Sequence, residues 1–243
     1  MVLPRYLAMT AAEISAFRPA GPIAYMACQF SPYTEGLTNI PDWLPSGSIL
    51  ILNDRMPCQG HSPDLTAGQL ADAAARLKCE SVLLDFQRAP EPESLSIAER
   101  ILESFSCPVA VTEGFAAILS CPVFLSPAPL NLGLEQHIKP WTGREIWLEA
   151  ALCQETVSVT AHGSKVTPIF PTEQLSGGFY DEALRCCYRT KMTEDMIEFT
   201  LYDTPESLDK KLELAAQLGV ARAVGLWQEL QQFPQQQKPL TFR

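Results

Sequence analysis

The sequence predicts an α/β fold of the (β/α)8 TIM-barrel type, with a small insertion before the last strand. Three observations predict it. Short, almost continuously apolar segments recur along the chain, as is typical of strands that are buried on both faces in a parallel sheet. Helical segments with apolar residues three and four positions apart lie between them, in the order expected of βαβ units. Polar side chains follow the apolar runs, at the strand ends where barrel enzymes keep their active sites.

Length and composition agree with one such domain. The chain has 243 residues, and a single α/β barrel typically has about 250. Because 47% of the residues are hydrophobic and 19% are charged, the chain can bury a large core and is not of the disordered class. We therefore predict a single domain over residues 1–243, with the insertion at about residues 153–195.

The formal net charge of -10 bears on the partners of the protein. Nucleic acid and anionic membrane surfaces would repel such a chain, so we expect neither as a partner and favour a neutral ligand. No apolar run is long enough to span a membrane, and no signal peptide is evident before Glu13. The oligomeric state is left open.

Cysteine and histidine usage bears on location and on metal binding. The eight cysteines are too sparse for a disulfide scaffold, and most lie in or beside apolar segments, which favours reduced thiols in the cytoplasm. The sequence has no C-x-x-C motif and its three histidines are scattered, so we expect neither a metal nor a cofactor.

The elements follow in chain order. Thr10 and Glu13 form a capping-box pattern for a leading helix, and further helices are predicted over residues 66–77, 96–105 and 205–218. Residues 155–166 alternate as a hairpin, and a glutamine-rich tail over residues 228–237 is expected to fray. The strand candidates begin near residues 23, 48, 81, 108, 122, 145, 196 and 221.

The segment 80–88 is the central strand of this prediction. Side chains alternate along a strand, so one apolar set packs beneath the covering helices: Val82, Leu84 and Phe86. The other set faces the barrel interior, with its polar members nearest the open end: Leu83, Asp85 and Gln87.

This segment resembles the active-site strand of the family 18 glycoside hydrolases, the chitinase-like proteins, whose pattern is D-x-x-D-x-D-x-E at the end of the fourth barrel strand. The matching positions here are Glu80, Leu83, Asp85 and Gln87. Residues 199–227 are similar to the family's ending, where a Tyr-Asp pair and a Pro-x-Ser cap precede the last helix and strand. Residues 176–180 resemble the Gly-Gly-x-x-Tyr of its insertion. The resemblance places the strand near 48 third and the strand near 196 inside the insertion, so the choice between seven and eight barrel strands is left open.

The resemblance implies a catalytic strand that has lost its acid. In the family, the Asp at the position of Asp85 orients the substrate acetamide and the Glu at the position of Gln87 protonates the leaving oxygen. An amide has no proton to give near neutral pH. The leading hypothesis is therefore a pseudoenzyme that lacks standard chitinase activity and that either binds an N-acetylated glycan or is a degenerate relative of the family.

Two alternatives stay open, and with them the question of whether the protein is an enzyme. An active glycosidase would use another carboxylate as the acid, either Glu113 or Glu149, although each is more often a solvated strand-end residue. A barrel that serves only as a protein-interaction scaffold is the third hypothesis, since fold alone does not define function.

Further candidates for ligand contact come from strand ends and aromatic residues: Tyr25, Glu113, Glu149, Tyr202 and Trp227. For the Tyr202 segment the alternative is a helix cap formed by Asp203 or Thr204 before Pro205. Trp227 is predicted to face the interior together with Gly225 and to underlie the bound sugar, with Val224 and Leu226 turned to the helices, and its alternative is an ordinary core residue.

Overall fold

The computed structural model of the protein describes residues 2–169, 175 and 177–230. Within these ranges, eight parallel strands close into a barrel because β1 pairs with both β14 and β2. The predicted fold class is confirmed. With strands numbered in chain order, the barrel strands are β1 (Arg5–Met9), β2 (Ala24–Phe30), β4 (Ile49–Asn53), β5 (Ser81–Asp85), β6 (Val109–Thr112), β7 (Val123–Leu125), β8 (Ile146–Glu149) and β14 (Arg222–Leu226).

Two strand assignments from the sequence need correction. The candidates omitted β1, and they counted as a barrel strand the segment near 196, which belongs to the insertion. β1 has only five residues with mixed burial, so it gives no continuous apolar run, and its partners come from distant parts of the chain. The barrel is therefore complete, with β4 as its third strand and β5 as its fourth.

The insertion forms a second, antiparallel sheet in the order β10-β9-β13-β12-β11. The predicted hairpin is the pair β9 and β10. The strands outside the barrel are β3 (Leu37–Thr38), β9 (Gln154–Thr160), β10 (Gly163–Ile169), β11 (Phe179–Asp181), β12 (Cys186–Met192) and β13 (Met196–Tyr202). Ser176 of the glycine-rich motif and residues 231–237 of the glutamine-rich tail lie outside the described residues.

Helix starts follow local capping chemistry. The predicted capping box of Thr10 and Glu13 is present, and at the last long helix Thr204, not Asp203, is the N-cap, accepting a hydrogen bond from the Ser207 N–H. The helices are α1 (Ala11–Phe17), α2 (Pro63–Leu77), α3 (Pro92–Ser104), α4 (Glu113–Ala116), α5 (Leu134–Ile138), α6 (Pro205–Gln217) and α7 (Trp227–Leu230). Of the helices in the described ranges, none combines the length and apolar character needed to span a bilayer.

Strand alternation divides the apolar residues into an interior cluster and an outer cluster. On β5 the predicted division is confirmed, with Leu83 in the interior cluster and Val82 and Leu84 in the outer cluster beneath the helices. The interior cluster comprises Tyr6, Ala8, Ala24, Ile49, Ile51, Leu83, Ala110, Phe124, Trp147 and Val224.

A polar network fills the N-terminal end of the barrel. The Glu80 carboxylate accepts hydrogen bonds from the Tyr6 hydroxyl and the Arg222 guanidinium. That guanidinium lies 4.7 Å from the centroid of the Trp147 ring, whose Nε1 donates to Glu145 at 2.7 Å. Because Glu80 precedes β5, its carboxylate is used in this network and not at the open end.

Candidate functional site

The candidate site lies at the C-terminal ends of the barrel strands. Asp85 is the last residue of β5 and Glu149 is the last residue of β8. Two positions earlier on each strand, Leu83 and Trp147 belong to the interior cluster. Strand alternation therefore directs both carboxylates into the mouth of the barrel.

Asp85 and Gln87 interact directly. Nε2 of the Gln87 side chain donates a hydrogen bond to Oδ1 of Asp85, and Gln87 is exposed whereas Asp85 is partly buried. Burial raises the pKa of the Asp85 carboxyl, the hydrogen bond from Gln87 lowers it in part, and the nearby Asp54 raises it further. The pair is thus a carboxylate and an amide held together at a solvent-accessible edge.

The pKa of the Glu149 carboxyl is shifted more strongly than that of Asp85. Burial raises its pKa from 4.5 to about 7, and the negative charges of Asp85 and Glu229 add to that shift. Glu229 lies on α7, directly after the last barrel strand. Sequence reasoning missed Glu229 because it stands in a polar segment read as a tail, with no local pattern to connect it to Glu149.

The loop that carries Gln87 is held by its neighbours on both sides. The carboxylate of Asp54, which follows β4, accepts the Gln87 N–H and the Arg88 N–H, each at 2.9 Å. On the other side, the hydroxyl of Thr112 donates to the Phe86 carbonyl at 2.6 Å. The guanidinium of Arg88 donates to the backbone carbonyls of residues 54 and 55.

Glu113 occupies a different part of the same end. It begins α4, and its Oε2 accepts hydrogen bonds from the Ser126 hydroxyl at 2.7 Å and from the Ser126 N–H at 3.3 Å. The Ser126 carbonyl in turn interacts with His137 Nε2 at 2.9 Å. Glu113 therefore fixes the loop after β7, and these contacts do not link it to the Asp85 pair.

The two tyrosines of the predicted ligand set are buried in other places. Tyr25 belongs to the outer cluster beneath the helices, and its hydroxyl donates to the Asn39 carbonyl at 2.7 Å. Tyr202 ends β13 in the second sheet and is 2% exposed. Neither ring is brought to the Asp85 pair by these contacts.

The prediction that Gly225 and Trp227 face the barrel interior is wrong. Val224 belongs to the interior cluster and Leu226 packs against it, whereas Trp227 packs against the outer cluster, with its ring 5.3 Å from that of Phe17. Gly225 faces outward, where a Cβ atom would lie 2.4 Å from the Ala150 carbonyl oxygen. Gly225 thus allows the last strand to approach the backbone at Ala150 on the outer side of the barrel. It does not make room for the Trp227 ring inside the barrel.

A buried ion pair lies where the second sheet meets α6. Asp203 follows β13 and accepts hydrogen bonds from Lys211 Nζ at 2.7 and 2.9 Å. It also accepts from the Cys153 N–H at 3.2 Å. In the sequence, Asp203 belongs to the Tyr-Asp pair that resembles the ending of the family 18 glycoside hydrolases. In the structure, its carboxylate joins α6 to the start of the insertion.

Among the described residues, no group of three or more His, Cys, Asp or Glu side chains is arranged to hold a metal ion.

The comparisons with known proteins bear on the fold. The sequence matches no protein-family model and no curated protein. The fold is similar to the crystal structure of the Bacillus cereus spore cortex-lytic enzyme SleL, with a TM-score of 0.51 and 11% identity over 92% of this chain and 70% of that chain. This likeness supports the barrel fold.

Two further solved structures are more distant. The Bacillus megaterium QM B1551 spore cortex-lytic enzyme SleL has a TM-score of 0.38 and 10% identity over 74% of this chain and 55% of that chain. The C-terminal domain of a protein assigned as a chitinase from Desulfitobacterium hafniense DCB-2 has a TM-score of 0.41 and 13% identity over 74% of this chain and 72% of that chain.

Proposed function

We propose that the protein is a glycosidase-like barrel that binds an N-acetylated glycan at its mouth and does not cleave it by the standard acid-catalysed route. The observation that carries this proposal is the hydrogen bond from the Gln87 amide to the Asp85 carboxylate. An amide cannot supply the proton that a leaving oxygen needs near neutral pH. Loss of a general acid lowers the rate of the catalysed reaction by a factor on the order of 10² to 10⁴.

The pair retains groups that suit ligand binding. Asp85 keeps a second carboxylate oxygen that can accept the N–H of an acetamide, and the Gln87 amide, which donates to Asp85, keeps its carbonyl oxygen to accept from a hydroxyl. A neutral sugar brings no charge that the acidic protein, at -10, would repel. The SleL-like fold supports only the frame of the site, so the ligand class rests on this pair and on the resemblance of the strand.

Titration calorimetry with chito-oligosaccharides and peptidoglycan fragments tests the proposal, and soaking the same ligands into crystals locates them. We expect binding by the native protein and at least a tenfold loss in Asp85→Ala. The matched control is Asp72→Ala on the exposed face of α2, which should bind as the native protein does. Absence of binding to every probe, or equal binding by Asp85→Ala, would reject the proposal.

One observation favours a second candidate, an active glycosidase with Glu149 as the acid. A carboxyl whose pKa is raised to about 7 keeps its proton at the pH where a general acid must donate it. Glu113 is the weaker alternative, because its carboxylate already accepts two hydrogen bonds from Ser126. Hydrolysis by the native protein that disappears in Glu149→Gln and survives in Glu113→Gln would favour this candidate over the binding function.

A further inference from the structure

The loop that follows β5 is tied to the loop that follows β4 in both directions. The two oxygens of Asp54 accept the N–H groups of two consecutive residues, Gln87 and Arg88. The Arg88 guanidinium returns to the carbonyls of Asp54 at 3.2 Å and of Arg55 at 3.3 Å. These four hydrogen bonds join segments that are more than thirty residues apart in the sequence.

The Asp54 side chain is well placed for this role. It is 7% exposed, so its carboxylate has little water to compete with the two N–H donors, and hydrogen bonds to an ionised acceptor are stronger than those between neutral groups. Both donors belong to backbone, so they fix the course of the chain at Gln87 and Arg88 whatever side chains these positions carry.

Gln87 needs such support more than Asp85 does. Asp85 ends a strand whose backbone is paired on both sides, whereas Gln87 lies in the loop beyond the strand and is exposed. A glutamine side chain loses considerable conformational entropy when it is held in one rotamer. Its hydrogen bond to Asp85 therefore depends on a backbone that already places the amide within reach.

We infer that Asp54 is a positioning residue of the candidate site: its carboxylate holds the backbone of Gln87 and Arg88 so that the Gln87 amide stays on Asp85. The consequence for a ligand rests on the proposed glycan-binding function. In that setting Asp54 does not touch the sugar, and it determines whether the sugar meets a pre-set carboxylate and amide pair or a mobile glutamine.

The first test needs no ligand. Backbone hydrogen exchange and the side-chain amide resonance of Gln87 are measured by NMR in the native protein and in Asp54→Asn. The asparagine keeps one acceptor oxygen, but its NH₂ group replaces the other oxygen and cannot accept the second backbone N–H. We expect at least a tenfold loss of protection at the Gln87 and Arg88 amides, and a shift of the Gln87 side-chain signal toward that of a free amide. Protection inside β5 should stay the same.

Two further variants serve as a fallback and a control. Arg88→Ala removes the reciprocal bonds from an exposed residue and should fold in any case, with at least a threefold loss of protection at the same two amides. The matched control is Asp72→Asn on the exposed face of α2, which makes the same chemical change in a helix, so protection at Gln87 and Arg88 should change less than twofold. Unchanged protection and an unchanged Gln87 signal in both Asp54→Asn and Arg88→Ala would overturn the inference.

The second test uses chitotriose and separates this inference from the proposed function. We expect Asp54→Asn to weaken binding about tenfold, although Asp54 does not contact the ligand, and Asp72→Asn to leave the affinity unchanged. If Asp54→Asn frees the Gln87 amide and chitotriose binds as before, the proposed function stands and the positioning role in binding is wrong. If the native protein binds no glycan, the proposed function fails, and the Gln87 resonance alone still decides whether Asp54 holds the pair.

Discussion

The side-chain amide of Gln87 donates a hydrogen bond to the carboxylate of Asp85, the residue that ends the fourth barrel strand. In the family that this strand resembles, a carboxylic acid occupies the position of Gln87. An amide has no proton to transfer near neutral pH. The Gln87 side chain therefore cannot act as the proton donor of the pair.

We predict that the native protein does not hydrolyse activated N-acetylglucosamine oligomers at the rate of an ordinary glycosidase. The physical reason is the amide at position Gln87. A fluorogenic assay from pH 4 to 8 measures the turnover. A turnover of about 1 s⁻¹ or more, within the ordinary range of enzymes, would contradict the prediction and promote Glu149 as the acid.

Gln87→Glu should restore part of the missing chemistry. The substitution hardly changes the side-chain volume and sets a second carboxyl beside Asp85, where two negative charges oppose each other, so the pair should retain one proton to higher pH than a lone carboxyl. We expect detectable hydrolysis with a maximum on the acid side of neutrality. Gln87→Asn is the control, because it supplies no acid and should stay inactive. An inactive Gln87→Glu of native stability would mean that more than one residue of the site has been lost.

The stability of the protein should fall as pH rises from about 4.5 to 7. The pKa of Glu149 is raised from 4.5 to about 7 in the folded state, so in this interval the folded protein binds a proton that the unfolded chain has released. One pKa unit corresponds to about 1.4 kcal/mol, so above pH 7 the free energy of unfolding should be lower than at pH 4.5 by an amount on the order of 3 kcal/mol. Urea unfolding at pH 5 and pH 8 measures it.

Glu149→Gln isolates this effect, because an amide carries no charge at either pH. The variant should be more stable than the native protein at pH 8, and the difference should shrink at pH 5. Glu99→Gln on the exposed face of α3 is the control and should unfold as the native protein does. Equal stability of Glu149→Gln and the native protein at pH 8 would show that Glu149 ionises there without cost.

The ion pair of Asp203 and Lys211 should be essential for the attachment of the second sheet. The Asp203 side chain is 1% exposed and that of Lys211 is 10% exposed, so removing either partner leaves a buried charge without its counterion. Lys211→Met should cost about 3 to 5 kcal/mol. The double variant Asp203→Asn with Lys211→Met should cost less than the two single losses added together, and a double-mutant cycle from urea unfolding measures the coupling. Additive losses would argue against a direct interaction.

Trp227→Ala should lower stability and leave glycan binding unchanged. The ring is partly buried against Phe17 and the outer cluster, so we expect a loss of about 2 kcal/mol, less than the 3 to 5 kcal/mol of a fully buried tryptophan. Melting temperature and chitotriose affinity measure the two effects. Loss of affinity at native stability would instead restore the predicted role of Trp227 beneath the sugar.

Local chemistry explains what could be predicted from the sequence. The capping box at Thr10 and the strand at Leu83 both depend on residues within a few positions of each other. Glu229 was missed because its effect on Glu149 passes between α7 and β8, about eighty residues apart, where no spacing rule applies. The role of Asp54 was missed for the same reason, since its partners lie in the next loop of the barrel.

The sequence by itself determined the buried strands and capped helices of an α/β barrel, because apolar runs and capping residues act within one element. It also determined that an amide follows Asp85 two positions later. Closure of the barrel by β1 was decided only in the tertiary structure, because this short strand gains its burial from β14 and β2 together. The facing of the last strand was decided there too: Gly225 turns outward because the Ala150 carbonyl leaves no space for a side chain, and Val224 then fills the interior.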